Sequence, residues 1–130
     1  MSFSKKSVQL VFEELSYLIN GCAFSVHKLL GGGLLEKPYQ NALAAEFDKV
    51  KLSFVEQKQI SISYFNSKIG IMVPDFVVED SVVVELKRKP RILPADYDQA
   101  RNYLRLMNKK LALLMHFGKE YVTIKRVVNL

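Results

Sequence analysis

The sequence has few of the features that mark secreted or membrane proteins. Its 130 residues include a single cysteine, Cys22, and one thiol can neither close an internal disulfide nor hold an iron–sulfur cluster. No apolar run approaches the roughly 18 residues that cross a bilayer. The first ten residues, MSFSKKSVQL, lack the apolar segment of a signal peptide. We therefore expect a cytoplasmic protein that uses no membrane, with Cys22 as a small buried hydrophobe.

Acidic residues are also in short supply. The chain has 13 Asp and Glu against 19 Lys and Arg, so its formal net charge is +6. This surplus favours an anionic partner such as nucleic acid, although it says nothing about the fold. Hydrophobic residues make up 49% and charged residues 25%, which is typical of a globular protein. The length suits one domain, which we assign to residues 1–130.

Apolar residues at helical spacing predict three helices. They recur every three or four positions from Ser7 to Leu30, which predicts an amphipathic helix that the glycines at 31–33 bring to an end. A second helix is predicted over residues 35–50, since a proline is tolerated in a first turn. The third is predicted over residues 94–108.

Segments rich in β-branched residues predict the strands. We expect one strand over FVEQKQISISYF, one over KIGIMVPDFVVE and one over SVVVELK, with turns at Asn66-Ser67 and Glu79-Asp80. Two final strands, KLALLMHF and YVTIKRVV, flank Gly118. The resulting order α, α, β, β, β, α, β, β predicts a central sheet with helices packed on it.

Charged residues interrupt the apolar segment VPDFVVEDSVVVELK, residues 73–87. Because side chains alternate along a strand, Glu85 and Lys87 share one face while the valines beside them face the other way. A turn centred on Asp80 pairs residues whose numbers sum to 160 and sets Asp75 opposite Glu85. A register one residue away would set Asp75 opposite Val84 and turn Glu85 to the other face.

Two opposed carboxylates repel each other unless a cation lies between them. Mg²⁺ favours carboxylate and carbonyl oxygens and keeps several waters, and such an ion polarises a phosphate oxygen. Lys87 would stand beside it, able to hold the attacking water or to stabilise negative charge on phosphate. The alternative is a surface ion pair between Lys87 and one acid. The apolar surroundings favour the metal site, because buried unpaired charge is costly.

The same residues carry a resemblance to a known family. Asp75 after Pro74, followed by Glu85-Leu86-Lys87, resembles the signature of the PD-(D/E)XK nuclease superfamily. The resemblance implies a PD-(D/E)XK restriction-endonuclease-like α/β core, a central mixed sheet of about four strands flanked by helices. It also implies that Asp75, Glu85 and the Leu86 carbonyl bind Mg²⁺ or Mn²⁺ and that Lys87 positions or activates the water.

Two further motifs extend the resemblance along the chain. The segment GGLLEKPY places Gly33, Glu36 and Tyr39 in the order G-x-x-E-x-x-Y, the pattern of the GxxExxY protein family within that superfamily. The part from Gly32 to Glu36 also resembles the G-x-x-x-E motif of RecB-like and Cas4-like nucleases. The resemblance implies that Glu36 approaches the metal site from its helix, directly or through water.

The other motif is QARNY, in which Gln99 and Tyr103 form the Q-x-x-x-Y pattern of those nucleases. Both residues are one turn apart on one helix face and would shape the site. The alternative is a structural hydrogen bond together with a core aromatic residue. After the lysine of the strand, Arg88, Lys89 and Arg91 continue a basic segment that would grip a phosphate backbone, unless it is simply a solvated loop.

The sequence therefore predicts a Mg²⁺- or Mn²⁺-dependent nuclease that hydrolyses phosphodiester bonds in nucleic acid, with DNA favoured. Its alternative is a catalytically silent nuclease-fold module that binds nucleic acid or protein. A structural protein that uses the fold to oligomerise is a third option. The chain has no room for a separate recognition domain, so we expect a homodimer or a protein partner to supply specificity.

Overall fold

The computed structural model describes the backbone of residues 5–129 and the side chains of residues 12–129. Three helices and seven strands occur in this part of the chain. The helices are α1 (Lys5–Leu30), α2 (Glu36–Lys49) and α3 (Pro94–Met107). The strands are β1 (Phe54–Glu56), β2 (Ile60–Tyr64), β3 (Ser67–Met72), β4 (Phe76–Val78), β5 (Val82–Leu86), β6 (Leu111–Phe117) and β7 (Val122–Val128).

Five of the strands form one mixed sheet in the order β1-β4-β5-β6-β7. Strands β5 and β6 are parallel, and the other neighbouring pairs are antiparallel. The parallel pair needs a crossover, which α3 supplies. All five residues of β5 are buried, as expected of a central strand that is covered on both faces. The sheet therefore places β5 at the centre of the molecule.

Helices cover both faces of this sheet. On one face, α1 and α2 pack against side chains that include Phe76, Val84 and Leu113. On the other face, Ala100 and Leu104 of α3 pack against the opposite side chains of β5 and β6. The predicted fold class, an α/β core with a mixed sheet flanked by helices, is confirmed.

The helices lie close to where the apolar spacing placed them. Helix α1 ends at Leu30, where Gly31 adopts a left-handed φ of 66° and donates its N–H to the His27 carbonyl at 2.8 Å. A glycine tolerates this conformation without steric cost, which is why it ends the helix here. Cys22 is 3% exposed within the core, and burial, followed by the charge of Glu46, raises its pKa to about 11. The prediction of Cys22 as a small buried hydrophobe is confirmed.

Two of the predicted strands are wrong, because each is divided in the structure. The segment FVEQKQISISYF breaks after β1, where Gln57 adopts a left-handed φ of 45°. The segment KIGIMVPDFVVE breaks at Pro74, which has no N–H to donate to a ladder. The intervening strands β2 and β3 form a separate two-stranded hairpin. Its turn contains Phe65 and Asn66, both with positive φ, one residue before the predicted turn.

Between residues 5 and 129, the structure contains no helix that is both long enough and apolar enough to cross a membrane.

Candidate active site

The β4–β5 hairpin has the register that brings two carboxylates together. Phe76 pairs with Val84 and Val78 pairs with Val82, so paired residue numbers sum to 160 as predicted. Glu79, Asp80 and Ser81 form the turn between Val78 and Val82, and Glu79 and Asp80 have positive φ. Asp75 and Glu85 are the next residues beyond the paired segment, and the Asp75 N–H contacts the Glu85 carboxylate. The predicted register of the hairpin is confirmed.

Hydrogen bonds cross between the two acids and their backbones. The Asp75 N–H donates to Glu85 Oε1 at 3.0 Å. The Leu86 N–H donates to Asp75 Oδ2 at 2.7 Å. Each carboxylate is thereby oriented through one oxygen by a backbone N–H. Both residues are only 7% exposed, so the orientation is fixed inside the molecule.

Burial disfavours the charged forms of both Asp75 and Glu85. Burial, followed by the charge of Asp75, raises the pKa of Glu85 to about 8. Burial also raises the pKa of Asp75, while the Leu86 N–H, the Gln57 side chain and the Lys87 charge oppose the rise. Fixed, desolvated carboxylates that disfavour one another's charge are stabilised by a cation.

Glu36 adds a third carboxylate from the first turn of α2. Burial, followed by the charge of Asp75, raises the pKa of Glu36, while Arg88 and Lys87 lower it. The side chain therefore lies within electrostatic reach of the hairpin acids and of the lysine. The structure brings Glu36 near Asp75 and Glu85, within the range of charge interaction.

Residues 31–35, here called the glycine loop, set the position of Glu36. The Tyr39 hydroxyl donates to the Gly31 carbonyl at 2.6 Å and accepts the Leu34 N–H at 3.1 Å. Its ring stacks on Phe117 with 4.5 Å between ring centroids. The tyrosine of the G-x-x-E-x-x-Y motif thus ties the glycine loop to the sheet and directs the start of α2.

The glycine loop also contacts the loop between β6 and β7, residues 118–121, here called the β6–β7 turn. A Cβ atom at Gly32 would lie 2.3 Å from the Gly118 carbonyl oxygen and 2.7 Å from the Lys119 Cα. Only glycine permits this approach of two backbones. The His27 ring bonds to the Gly118 carbonyl through Nε2, at 2.6 Å. The two loops are therefore held as one unit.

Lys87 is held by helix α3. Its Nζ donates to Gln99 Oε1 at 2.9 Å and lies 3.8 Å from Asp96 Oδ1. Its side chain is 15% exposed. Asp96 also accepts the N–H of Leu93 at 2.8 Å, which fixes the start of α3. The helix therefore orients the lysine beside the acids, and Asp96 is a partner that the sequence patterns did not indicate.

The Q-x-x-x-Y motif connects Lys87 to the acids. Gln99 Nε2 donates to the Tyr103 hydroxyl at 3.5 Å. Burial, followed by the charge of Glu85, raises the pKa of Tyr103, and a backbone hydrogen bond from Val73 opposes the rise. Gln99 and Tyr103 thus lie along one side of the site.

The basic segment follows Lys87 directly. Arg88 is near enough to Glu36 to lower its pKa. Lys89 and Arg91 are exposed farther along the same loop. The structure therefore places one of the three basic residues at the site and the other two on adjoining surface.

A polar network that the sequence patterns missed runs from α2 toward Asp75. Gln40 is 2% exposed. It donates to Glu56 Oε2 at 3.0 Å and accepts from Gln57 Nε2 at 3.0 Å. Gln57 in turn donates its N–H to the Asp75 carbonyl at 3.0 Å. A signal for Gln40 was present, because it lies four residues after Glu36 on the buried side of its helix.

The donor set suits a hard divalent cation that keeps part of its water shell. Within residues 12–129, no three His, Cys, Asp or Glu side chains converge as a ready-made metal cluster. The available donors are the carboxylates of Asp75 and Glu85 and the Leu86 carbonyl, with Glu36 nearby. Two carboxylates, a carbonyl and several waters are an arrangement that Mg²⁺ accepts. The residues therefore fit the implied metal.

A cleft of about 620 Å³ opens beside these residues. It lies between the glycine loop and the β6–β7 turn, and Glu36, Leu86 and Lys87 contribute to its wall. The carboxyl ends of the parallel strands β5 and β6 meet at this edge of the sheet, where open α/β sheets usually bind ligands.

Residues 13–127 match the family model of the PD-(D/E)XK nuclease superfamily. The match spans the glycine loop, both acids, Lys87 and helix α3. No curated protein matches the chain. No solved structure matches it.

Proposed function

The chain belongs to the PD-(D/E)XK nuclease superfamily, and on this premise we propose that it is a Mg²⁺- or Mn²⁺-dependent nuclease. Its proposed reaction is the hydrolysis of phosphodiester bonds, with DNA as the favoured substrate. The observation that carries the proposal is the buried Asp75–Glu85 pair, held by crossed hydrogen bonds beside Lys87. An arrangement this costly to bury is expected where it has a chemical use.

Asp75, Glu85 and the Leu86 carbonyl are the proposed metal ligands, and Glu36 supports them directly or through a water. When bound, the cation supplies Lewis-acid polarisation of a phosphate oxygen and lowers the pKa of a coordinated water. The protein's own contribution is to hold the side chains of the proposed ligands in fixed positions. The Leu86 N–H holds Asp75, and the Asp75 N–H holds Glu85.

Lys87 is proposed to stabilise negative charge on the phosphate and to orient the attacking water. Gln99 accepts one ammonium hydrogen and Asp96 lies on the same side, so the ammonium has a fixed direction. The remaining hydrogens are free for the water and the phosphate. Gln99 and Tyr103 are proposed positioning residues, since they reach the reaction through Lys87 and Glu85.

The function is tested with plasmid and single-stranded DNA in the presence of Mg²⁺ or Mn²⁺. Wild type is expected to cut at least one of these substrates. Lys87→Ala should lower the cleavage rate by about 10²–10³-fold, because a preorganised donor to developing charge is lost. Lys49→Ala is the matched control, since Lys49 is an exposed lysine at the far end of α2, and it should cut at the wild-type rate.

Equal rates for wild type and Lys87→Ala would overturn the assignment of Lys87. An inert wild type that still binds DNA without any stimulation by metal would instead support the silent binding module.

A further inference from the structure

The cleft beside the proposed metal site is large enough for a small ligand, and two buried aromatic rings form part of its lining. Its volume of about 620 Å³ falls within the range of pockets that bind small molecules. The stacked rings of Tyr39 and Phe117 form part of its lining, and both are buried. An organic group of the size of one nucleotide therefore fits, whereas an intact double helix does not.

The walls of the cleft are preformed. The backbones of Gly32 and Gly118 are in close contact, and the His27 ring is bonded to the Gly118 carbonyl. The Gly118 N–H donates to the Tyr121 carbonyl at 3.0 Å, which closes the β6–β7 turn on itself. A ligand would meet a cleft that needs little rearrangement, and preorganisation of this kind lowers the cost of binding.

Tyr121 differs from Tyr39 and Phe117, the other aromatic residues that line the cleft, because it is exposed. It lines the cleft, yet it is 69% exposed, so its ring presents uncovered aromatic surface to the space beside the site. Nucleic-acid-binding grooves use such rings as surfaces on which unpaired bases stack. The main chain of Tyr121, not its ring, makes the hydrogen bond that holds the turn.

The charges around the cleft suit a phosphate-linked ligand. Lys87, Arg88 and Lys119 line it, against the acids Glu36 and Glu120. Lys87 and Glu36 also belong to the proposed catalytic group. A strand whose phosphate lies beside Lys87 would therefore carry its neighbouring nucleotide into the cleft.

We propose that the cleft binds one unpaired nucleotide of the strand to be cut, with its base stacked on Tyr121, so that the substrate is single-stranded at the site of cleavage. This inference rests on the proposed nuclease function. The burial of Asp75 and Glu85, each 7% exposed, points the same way, because a flexible strand enters a recessed site more readily than a stiff duplex. A base inside a duplex is stacked and paired, and it cannot enter the cleft without being unpaired first.

The test measures binding by fluorescence anisotropy in EDTA, which prevents cleavage. The probes are a labelled single-stranded DNA, an RNA of the same sequence and a duplex of that DNA. Wild type should bind a single strand at least tenfold more tightly than the duplex. Tyr121→Ala should weaken single-strand binding about tenfold and leave duplex binding unchanged, while Tyr121→Phe keeps wild-type affinity.

The matched control is Tyr17→Ala, which removes a tyrosine that is 78% exposed on α1. This variant should bind every probe as wild type does. A thermal melt of each variant checks that the turn is intact. Whichever of DNA and RNA binds more tightly identifies the sugar that the cleft accepts.

Equal affinity for single strand and duplex, or an unchanged affinity of Tyr121→Ala, would overturn the inference. The failure of the proposed function has a different signature. If plasmid duplex is cut in a Lys87-dependent manner and Tyr121→Ala cuts it equally well, the enzyme stands and the nucleotide subsite fails. If single strands bind through Tyr121 but nothing is cut, the subsite stands and the nuclease proposal fails.

Discussion

Glu85 is the residue whose burial in the fold conflicts most directly with its proposed role as a charged metal ligand. It occupies a strand whose other four residues are apolar and buried, Val82, Val83, Val84 and Leu86. Burial and the nearby charge of Asp75 raise its pKa to about 8. Without a cation, the folded protein therefore favours the protonated form of Glu85 at neutral pH.

This leads to a prediction for stability against pH. The Glu85 pKa is raised from 4.5 to about 8 on folding, so the folded state binds its proton more tightly than the unfolded state. The resulting stabilisation is fully present below about pH 4.5 and is lost as the pH rises toward 8. The raised pKa values of Asp75 and Glu36 act in the same direction. In EDTA, the melting temperature should fall by several degrees between pH 5 and pH 8.

Glu85→Gln should flatten this pH profile, because the amide does not titrate. Adding Mn²⁺ at pH 8 should raise the melting temperature of the wild type and leave that of the variant nearly unchanged, since in the wild type the cation takes the place of the proton. Glu14→Gln, which changes an exposed glutamate on α1, should retain the wild-type slope. Parallel profiles for wild type and Glu85→Gln would show that Glu85 is not the titrating group.

At the scale of elements, helices and the central hairpin were predictable and the strand breaks were not. Periodicity located all three helices because each buries one continuous apolar stripe. The β4–β5 register followed from a turn centred on Asp80, since the three residues between Val78 and Val82 leave pairs whose numbers sum to 160. The alternation from Phe54 to Phe65 continues through Gln57, so nothing in the local pattern marks the chain leaving the sheet there.

The sequence indicated the site residues that carry motifs. It did not mark clearly the residues whose roles depend on tertiary contacts. Asp75, Glu85 and Lys87 stand out because charge is unexpected in an apolar strand. Asp96 does not stand out, because polar residues are ordinary on helices, and Gln40 is marked only by its position four residues after Glu36. Their roles depend on which strands lie beside α3 and α2, and this is a tertiary property.

The glycine loop supports a prediction with an internal control. Gly32→Ala should lower the free energy of unfolding by about 1–3 kcal/mol, because the new Cβ would meet the backbone of Gly118. Cleavage should fall as well, since the loop positions Glu36. Gly21→Ala lies within α1, where an added Cβ meets nothing within 4 Å, and it should raise the free energy of unfolding by roughly 0.5–1 kcal/mol.

Chemical denaturation of the two alanine variants gives the comparison. Stabilities of Gly32→Ala and Gly21→Ala that change in the same direction would contradict the close approach of the two backbones.

At the scale of the whole molecule, the proposed chemistry is gathered at one edge of the sheet. The acids, Lys87 and the cleft lie where β5 and β6 end, with Arg88 next to them. A net charge of +6 adds a long-range attraction for polyanions to this local arrangement. The assignment of residues 1–130 to a single domain and the expected homodimer or protein partner stay predictions.

The basic segment supports a prediction about the strength and salt dependence of nucleic-acid binding. Replacing Arg88, Lys89 and Arg91 by alanine should weaken nucleic-acid binding and make it less sensitive to salt. Each lost phosphate contact reduces the slope of log affinity against log salt by about 0.7–0.9, so a reduction of about 2.1–2.7 is expected if all three take part. The measurement is a salt titration of binding in EDTA.

A second triple variant with the same change in charge separates local contacts from overall charge. Lys49, Lys51 and Lys110 are exposed. Lys49 and Lys51 lie at the C-terminal end of α2, opposite Glu36, and Lys110 precedes the start of β6, opposite the end where the cleft lies. Their replacement by alanine should alter the slope much less. Equal slopes for the two triple variants would mean that the surplus of positive charge attracts nucleic acid without a defined track.

The β2–β3 hairpin leaves the sheet after Glu56 and returns at Phe76, and these two residues are paired neighbours. The excursion therefore begins and ends at one rung of the ladder, directly beside Asp75. The hairpin itself, residues 60–72, can be lengthened, shortened or exchanged without shifting β4 and β5, while Gln57 and Asp75, at the two ends of the excursion, stay in place. Evolution and protein engineering alike thus have a variable segment next to the candidate site, where new contacts can be tried while the sheet stays the same.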